Sequence, residues 1–373
     1  MLSVGRAKAG AMSDQGIKQD RMLGANEASR SVAHLTRLTS LRAAGALLVF
    51  FYHLGTHGFA FGQVSAVTRQ GYVGVSFFFV LSGFVLTWSV KEKTPLKQFY
   101  LKRFARIWPS HAVTLFIAAC LPMVGGGVHL LSLLVSATLL QTWLPWRMDP
   151  FSFNKVAWSL SCETFFYLVL PLLLPILRSV GRRRRLGLLG GYSGLMAVMT
   201  LVVMEIPSLS VHSLVFYVWP PVRFGEFLLG VLLALEMRAG WSPKKYVQVA
   251  VVGASALLLF FGSHALPAPN VAASLLSLVV ISAAAQRDLD LRKNGVLTNR
   301  ALVLFGEISL AFYLVHNLVI EIFLRIMPVP KYQSVPVILV IAVLAAALLH
   351  YAVERPFERS IRARLVNNRT KAG

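Results

Sequence analysis

Arg42, His53, Glu163, Arg223, Glu226 and His316 fall inside otherwise apolar stretches, where each is expensive to place and so becomes a candidate for chemistry. Arg42 and His53 are eleven residues apart. In a helix that is about 16 Å of rise and about 20° of rotation, so they share one face. Trp158-Ser159-Leu160-Ser161-Cys162-Glu163 opens another apolar stretch with a carboxylate one turn in, where it needs a partner. Pro220-Pro221 precede Arg223 and Glu226, which are three apart and able to pair. An arginine near a helix N-terminus opposes the macrodipole, so a reason beyond helix stability is wanted. Ser309, Tyr313 and His316 fall at i, i+4 and i+7, one polar face on an apolar helix.

The topology is expected to bring His53, Glu163, Arg223, Glu226 and His316 to similar depth. A histidine beside a carboxylate in a dry bundle suits general-base catalysis, its tautomer and basicity set by the acid. Glu163 and Glu226 are the candidates to orient the imidazole of His53. No Gly-x-Ser-x-Gly elbow and no His-Glu-x-x-His spacing occurs, so neither a hydrolase nucleophile nor a metal site is expected. Arg103 and Arg106, three apart before Ile107-Trp108-Pro109, suit a phosphate clamp on adjacent turns. Structural readings stay open beside these. Arg42 suits a snorkelling residue and the histidines suit backbone hydrogen bonding. Arg223–Glu226 suits a structural ion pair, and Arg103 and Arg106 suit topology signals.

The elements that must position these groups are set by hydropathy. The 373 residues are 56% hydrophobic and only 14% charged, with a mean hydropathy of +0.65. That is too apolar for an ordinary soluble domain. Apolar segments lie at 39–58, 72–90, 106–125, 128–146, 158–178, 186–206, 215–236, 246–264, 270–286, 301–325 and 335–353. The net charge of +22 is bunched between them. Of the 37 Lys and Arg, only Arg69, Arg147, Lys155, Arg223, Arg325 and Lys331 lie outside six flanking clusters. All six clusters fall on one side if 128–146 does not cross. The expected architecture is therefore an all-α polytopic bundle of ten spans, with a re-entrant or interfacial helix at 128–146 and both termini cytoplasmic. Residues 1–35 read as a disordered tail and 358–373 as a basic cytoplasmic tail. No basic helix with interleaved aromatics appears, which excludes a nucleic-acid partner. Cys120 and Cys162 lie in apolar segments and read as buried hydrophobes. No internal repeat is visible.

Seven landmarks, in order, resemble the acyltransferase-3 family of membrane O-acyltransferases. They are Leu41-Arg42 with His53-Leu54; Gly71 through Phe84; Lys102-Arg103-Phe104-Ala105-Arg106-Ile107-Trp108-Pro109; and Trp158 through Glu163. Arg223-Phe224-Gly225-Glu226 through Gly230, Ser309 through His316, and Glu354-Arg355-Pro356-Phe357 complete them. The resemblance covers residues 37–357 and makes 36–357 a membrane acyltransferase domain. It implies transfer of an acyl group, acetyl or short branched, from cytoplasmic acyl-CoA to a sugar hydroxyl on a cell-surface glycan or a glycosylated product such as a macrolide. No bound cofactor is implied.

By motif, His53 would be the base, with Glu163 and His316 beside it. Arg42, Arg103 and Arg106 would meet the acyl-CoA, and Arg223, Glu226 and Tyr313 the acceptor. The chain departs from the family pattern at Thr39-Ser40, where an acid is usual, at Thr164 for a second Glu, and at His111 for an aromatic. Two other readings use the same buried charges: a permease for a sugar or anionic solute, and a non-catalytic assembly partner. The expected location is the plasma or inner membrane.

Overall fold

Hydrocarbon offers no partner to a backbone amide, so a chain of this composition must satisfy its amides within helices. The computed structural model agrees: among the described residues there is no strand. Those residues are 35–62, 65–91, 94–121, 129–144, 148–204, 217–245, 248–249, 251–253, 255, 268–290, 295–327 and 332–370. The expected tail at 1–35 lies outside them except for Leu35, and so does most of the segment at 246–264.

The helices are α1 (Thr36–Thr56), α2 (Gly74–Ser89, led by a 3-10 turn at Gly71–Val73), α3 (Leu96–Cys120) and α4 (Leu130–Ala137). Next come α5 (Trp158–Ser179), α6 (Arg182–Met204), α7 (Pro220–Arg238) and α8 (Ala268–Leu289). The last four are α9 (Arg300–Glu307), α10 (Ser309–Ile326), α11 (Val335–Leu349) and α12 (Arg355–Thr370). A π-helical turn, His350–Glu354, joins α11 to α12. The helix thus continues through Thr370, into the stretch expected as a tail.

Among the described residues, six helices are both long and apolar enough to cross a bilayer: Thr36–Thr56, Gly71–Ser89, Trp158–Ser179, Pro269–Leu289, Ser309–Ile326 and Tyr332–Leu365. The expected count of ten is not confirmed. α3 and α7 are 25 and 19 residues long, yet charge interrupts them, whereas α6, 23 residues long, carries its charge only in its first turn. α3 opens on Lys97, Lys102, Arg103 and Arg106; α6 opens on Arg182-Arg183-Arg184-Arg185; α7 holds Arg223, Glu226, Glu236 and Arg238. At eight residues α4 is too short to cross. It ends in a Schellman turn, with Leu140 N–H donating to Val135 O and Leu139 N–H to Ser136 O. Leu139 takes φ 58° there, where glycine would be the easier residue.

The bundle is apolar outside as well as in. Phe116 and Leu348 are each 70% exposed, as suits surfaces turned to lipid. Inside, α2 and α7 make the most extensive helix pair. Gly83 lies against the Phe227 carbonyl and Gly230 against the Val80 carbonyl, so a Cβ at either position would collide with the partner backbone. Small residues that let backbones approach are the usual device where apolar burial cannot drive association. Around this contact Phe79, Phe166, Phe224 and Phe227 interlock, the Phe166–Phe227 rings 4.9 Å apart.

The end of the bundle that carries Arg37, Arg106, Arg178, the α6 arginines and Arg238 is called the basic end below. At that end a buried Arg37–Asp288 pair, 2.6 Å, ties α1 to α8.

Candidate active site

α1 and α10 run parallel, and three polar contacts fix their register. Arg42 Nε donates to Ser309 Oγ at 3.1 Å, the rings of His53 and His316 lie 5.0 Å apart, and His57 Nε2 meets Asn317 Oδ1 at 3.2 Å. Eleven residues on α1 face seven on α10, a mismatch of about 6 Å that the length of the Arg42 side chain can absorb. The sequence spacing that put Arg42 and His53 on one face therefore holds, with Ser309 and His316 facing them.

His316 is fully buried between Phe50, Phe312 and Tyr313. Its Nδ1 lies 3.1 Å from the Phe312 carbonyl, which can only accept. Neutral His316 must therefore carry its hydrogen on Nδ1 and leave a lone pair on Nε2. Among the described residues that Nε2 is buried without a partner, as is Nδ1 of His53. The expected carboxylate partner of His53 is not there. Glu163 accepts from Tyr167 Oη at 2.8 Å, and Glu226 pairs with Arg223 at 3.1 Å. Similar depth along the chain thus resolves into separate clusters. Glu321, one turn beyond Asn317, is bonded to Asn317 at 2.9 Å and Lys155 at 2.8 Å, and lies 4.0 Å from His57.

Glu163 belongs instead to the wall of a cavity of about 100 Å³, lined by Arg42, Arg103, Arg106, Glu163, Tyr167 and Ser82 toward the basic end. Ser159, Ser309 and Tyr313 line it as well, so the cavity reaches the ring that touches His316 at 5.8 Å. The Tyr313 hydroxyl donates to Val156 O at 3.2 Å and accepts from Ser159 at 2.9 Å, pinning the start of α5 to α10. Arg103 also borders a second cavity of about 430 Å³, with Thr94, Gln98, Lys102 and Arg362. The two cavities therefore share one arginine.

The two clamp arginines differ. Arg106 forms an ion pair with Glu354 and a second with Glu358 at 3.1 Å, where the π turn and α12 dock on α3. Its charge is already matched. Arg103 makes no ion pair among the described residues; it sits 5.9 Å over the Tyr167 ring, its Nε unpartnered. Arg223 is 2% exposed, bonded to Glu226 and to Ser76 Oγ at 3.2 Å, and stacked near Phe79, Trp158 and Tyr217. His111, placed where the family has an aromatic, is buried and donates from Nε2 to Ser136 O at 2.9 Å, holding α4 on α3.

Sequence alone does not single out Tyr167, Ser82, Asn317, Glu321 or the two carboxylates on Arg106. Tyr167 stands four after Glu163, and that spacing was the available signal. Glu321 and Glu354 show only once the helices are paired.

The helices, apolar and long, are those of a membrane protein, with facing histidines beside an arginine-lined cavity. The chain belongs to the acyltransferase-3 family, whose model, described as an acyltransferase domain, matches residues 35–353. It is similar to the acyltransferase MdmB of Streptomyces mycarofaciens, 34% identical over 363 residues, 88% of this chain and 92% of that protein. It is also similar to a Staphylococcus aureus (strain COL) protein named as an O-acetyltransferase, 24% identical over 326 residues, 78% of this chain. The chain spans 52% of that longer relative. No solved structure matches.

Proposed function

We propose that the chain is an O-acyltransferase that moves an acetyl or short branched acyl group from acyl-CoA to a sugar hydroxyl. The acceptor would be a cell-surface glycan or a glycosylated natural product such as a macrolide. The observation that carries this reading is the cavity that begins at Arg42, Arg103 and Arg106 and ends at Tyr313 beside His316. Phosphates meet the arginines, Arg103 foremost because its charge is unmatched, and the thioester extends toward the histidines. A permease gives no reason for a cavity with three arginines at one end and, at the other, a tyrosine whose ring meets a buried imidazole.

His53 acts as general base and His316 orients it. Nε2 of His316 accepts the Nδ1 hydrogen of His53 after a small ring rotation, which leaves the lone pair of His53 on Nε2 for the acceptor hydroxyl. A backbone carbonyl, His316 and His53 then form a relay in the manner of a catalytic triad. The hydroxyl oxygen attacks the thioester carbonyl as its proton passes to His53. The carbon–sulfur bond breaks, and the thiolate leaves as CoA thiol with that proton. The thioester is already activated, so no covalent enzyme intermediate is required.

Thermal unfolding of the purified protein in lipid nanodiscs, with and without CoA, tests the donor assignment. CoA should raise the midpoint of the wild type, since a ligand at 100 times its Kd adds about 2.7 kcal/mol. Arg103→Ala should lose the shift. A wild type indifferent to millimolar CoA contradicts the reading and favours the permease.

A further inference from the structure

At the end of the bundle opposite the basic one, aromatic rings from four different elements meet in sequence. The ring of Tyr52, in the last turn of α1, lies 5.2 Å from His53 and 5.6 Å from Tyr72, in the 3-10 turn before α2. Tyr72 lies 6.0 Å from Tyr217, just before α7, and Tyr217 lies 4.7 Å from Trp158, the first residue of α5. The Arg223 guanidinium sits 5.6 Å from the Tyr217 ring and 5.9 Å from that of Trp158. Among the described residues its Nε and the Oε2 of its partner Glu226 are buried with no hydrogen-bond partner, while the Glu226 carboxylate is also met by Ser76 and Ser274. Among the described residues, none of the three tyrosine hydroxyls is hydrogen-bonded either, though all three tyrosines are partly buried.

Aromatics at the ends of membrane helices often form an interfacial belt. Belt residues stand apart around the rim, facing headgroups. These follow one another in a single file, Tyr52–Tyr72 and Tyr72–Tyr217 edge to face and the two end contacts tilted, that starts at His53 and ends over a buried cation. Such a file offers flat apolar faces with free hydroxyls, a charged donor and a charged acceptor at one margin. That is the mixture that grips a pyranose, whose C–H faces stack on rings while its hydroxyls take the polar groups.

We infer that Tyr52, Tyr72 and Tyr217, with Trp158 and the Arg223–Glu226 pair, form the seat of the acceptor sugar and hold the hydroxyl to be acylated at His53. The inference rests on the acyltransferase reading and extends it. Donor and acceptor then reach the histidines from opposite ends, and Arg223 and Glu226 act through the seat rather than on the imidazole.

The test titrates a fixed concentration of acetyl-CoA and purified enzyme with water-soluble and lipid extracts of cells lacking this chain, and follows thiol release. Tyr72→Leu and Tyr217→Leu should raise the amount of extract needed for half-saturation about tenfold, the scale of one lost aromatic contact. The maximal rate and the CoA-dependent thermal shift should stay within a factor of about two, a small part of that tenfold step. Tyr72→Phe and Tyr217→Phe keep the ring and should stay nearer wild type. Unchanged half-saturation in both Leu variants overturns the seat and leaves the acyltransferase reading standing. A fall in maximal rate alone, with half-saturation constant, also overturns it. A wild type that releases no thiol with any extract or acyl-CoA overturns both.

Discussion

His53 and His316 face each other from parallel helices with ring centroids 5.0 Å apart, and each keeps one buried nitrogen without a partner. The Phe312 carbonyl fixes the hydrogen of His316 on Nδ1, so the free nitrogen of His316 is an acceptor. This separates the two roles. His53→Gln should lower kcat by about 10²–10⁴-fold, the usual worth of a positioned base. His316→Gln keeps an acceptor oxygen and should retain measurable activity, whereas His316→Leu should not. Equal inactivity of His316→Gln and His53→Gln would make His316 the base.

Arg103 and Arg106 are three residues apart and should respond oppositely to truncation. Arg103→Ala should raise KM for acyl-CoA about tenfold or more, a charge-assisted contact being worth about 1.5–3 kcal/mol, with the unfolding midpoint unchanged. Arg106→Ala leaves Glu354, which is 0% exposed, with only His350 as its partner, and should cost about 3–5 kcal/mol of stability. Replacing Glu354 by Gln in the same chain should recover part of that loss. A stable Arg106→Ala with a raised KM would return Arg106 to the donor site.

Glu163 and Tyr167 are joined at 2.8 Å and line the cavity of Arg42, Arg103 and Arg106 together. Glu163→Gln and Tyr167→Phe should each lower kcat/KM. Their double-mutant cycle should show a coupling of about 0.5–3 kcal/mol, the range for residues in direct contact. Strict additivity would mean the bond contributes nothing to turnover.

Much of the site was legible in the chain because a charged or imidazole side chain in an apolar stretch is a strong signal wherever it falls. Helical spacing was enough to place Arg42 with His53 and Tyr313 with His316. It failed for the partners of those residues. Glu163 and His53 were assigned one depth because each lies near the opposite end of its helix. Yet the carboxylate turns along α5 toward Tyr167 and the arginines, a direction set by how helices rotate against each other. The count of ten spans is not confirmed: among the described residues six helices are long and apolar enough to cross, and α3 and α7 carry charges that window hydropathy cannot assign to function or to topology.

The contact of Gly83 with the Phe227 carbonyl and of Gly230 with the Val80 carbonyl makes the α2–α7 pair intolerant of side chains. Gly83→Leu and Gly230→Leu should abolish recovery of monodisperse protein from detergent. Leu172→Ala, at a position 63% exposed on the lipid-facing side of α5, should not. Normal yield of both glycine variants would mean the helices have room to separate.

Transfer itself is tested most directly by mass analysis of glycans and glycosylated small molecules from three strains: one making the wild type, one making His53→Ala, and one lacking the chain. Immunoblots of membrane fractions should first show that the variant inserts as the wild type does. A sugar-linked acyl ester should then be present with the wild type and absent from the other two strains. Identical acylation profiles in all three, or an ester retained with His53→Ala, would contradict acyl transfer through His53.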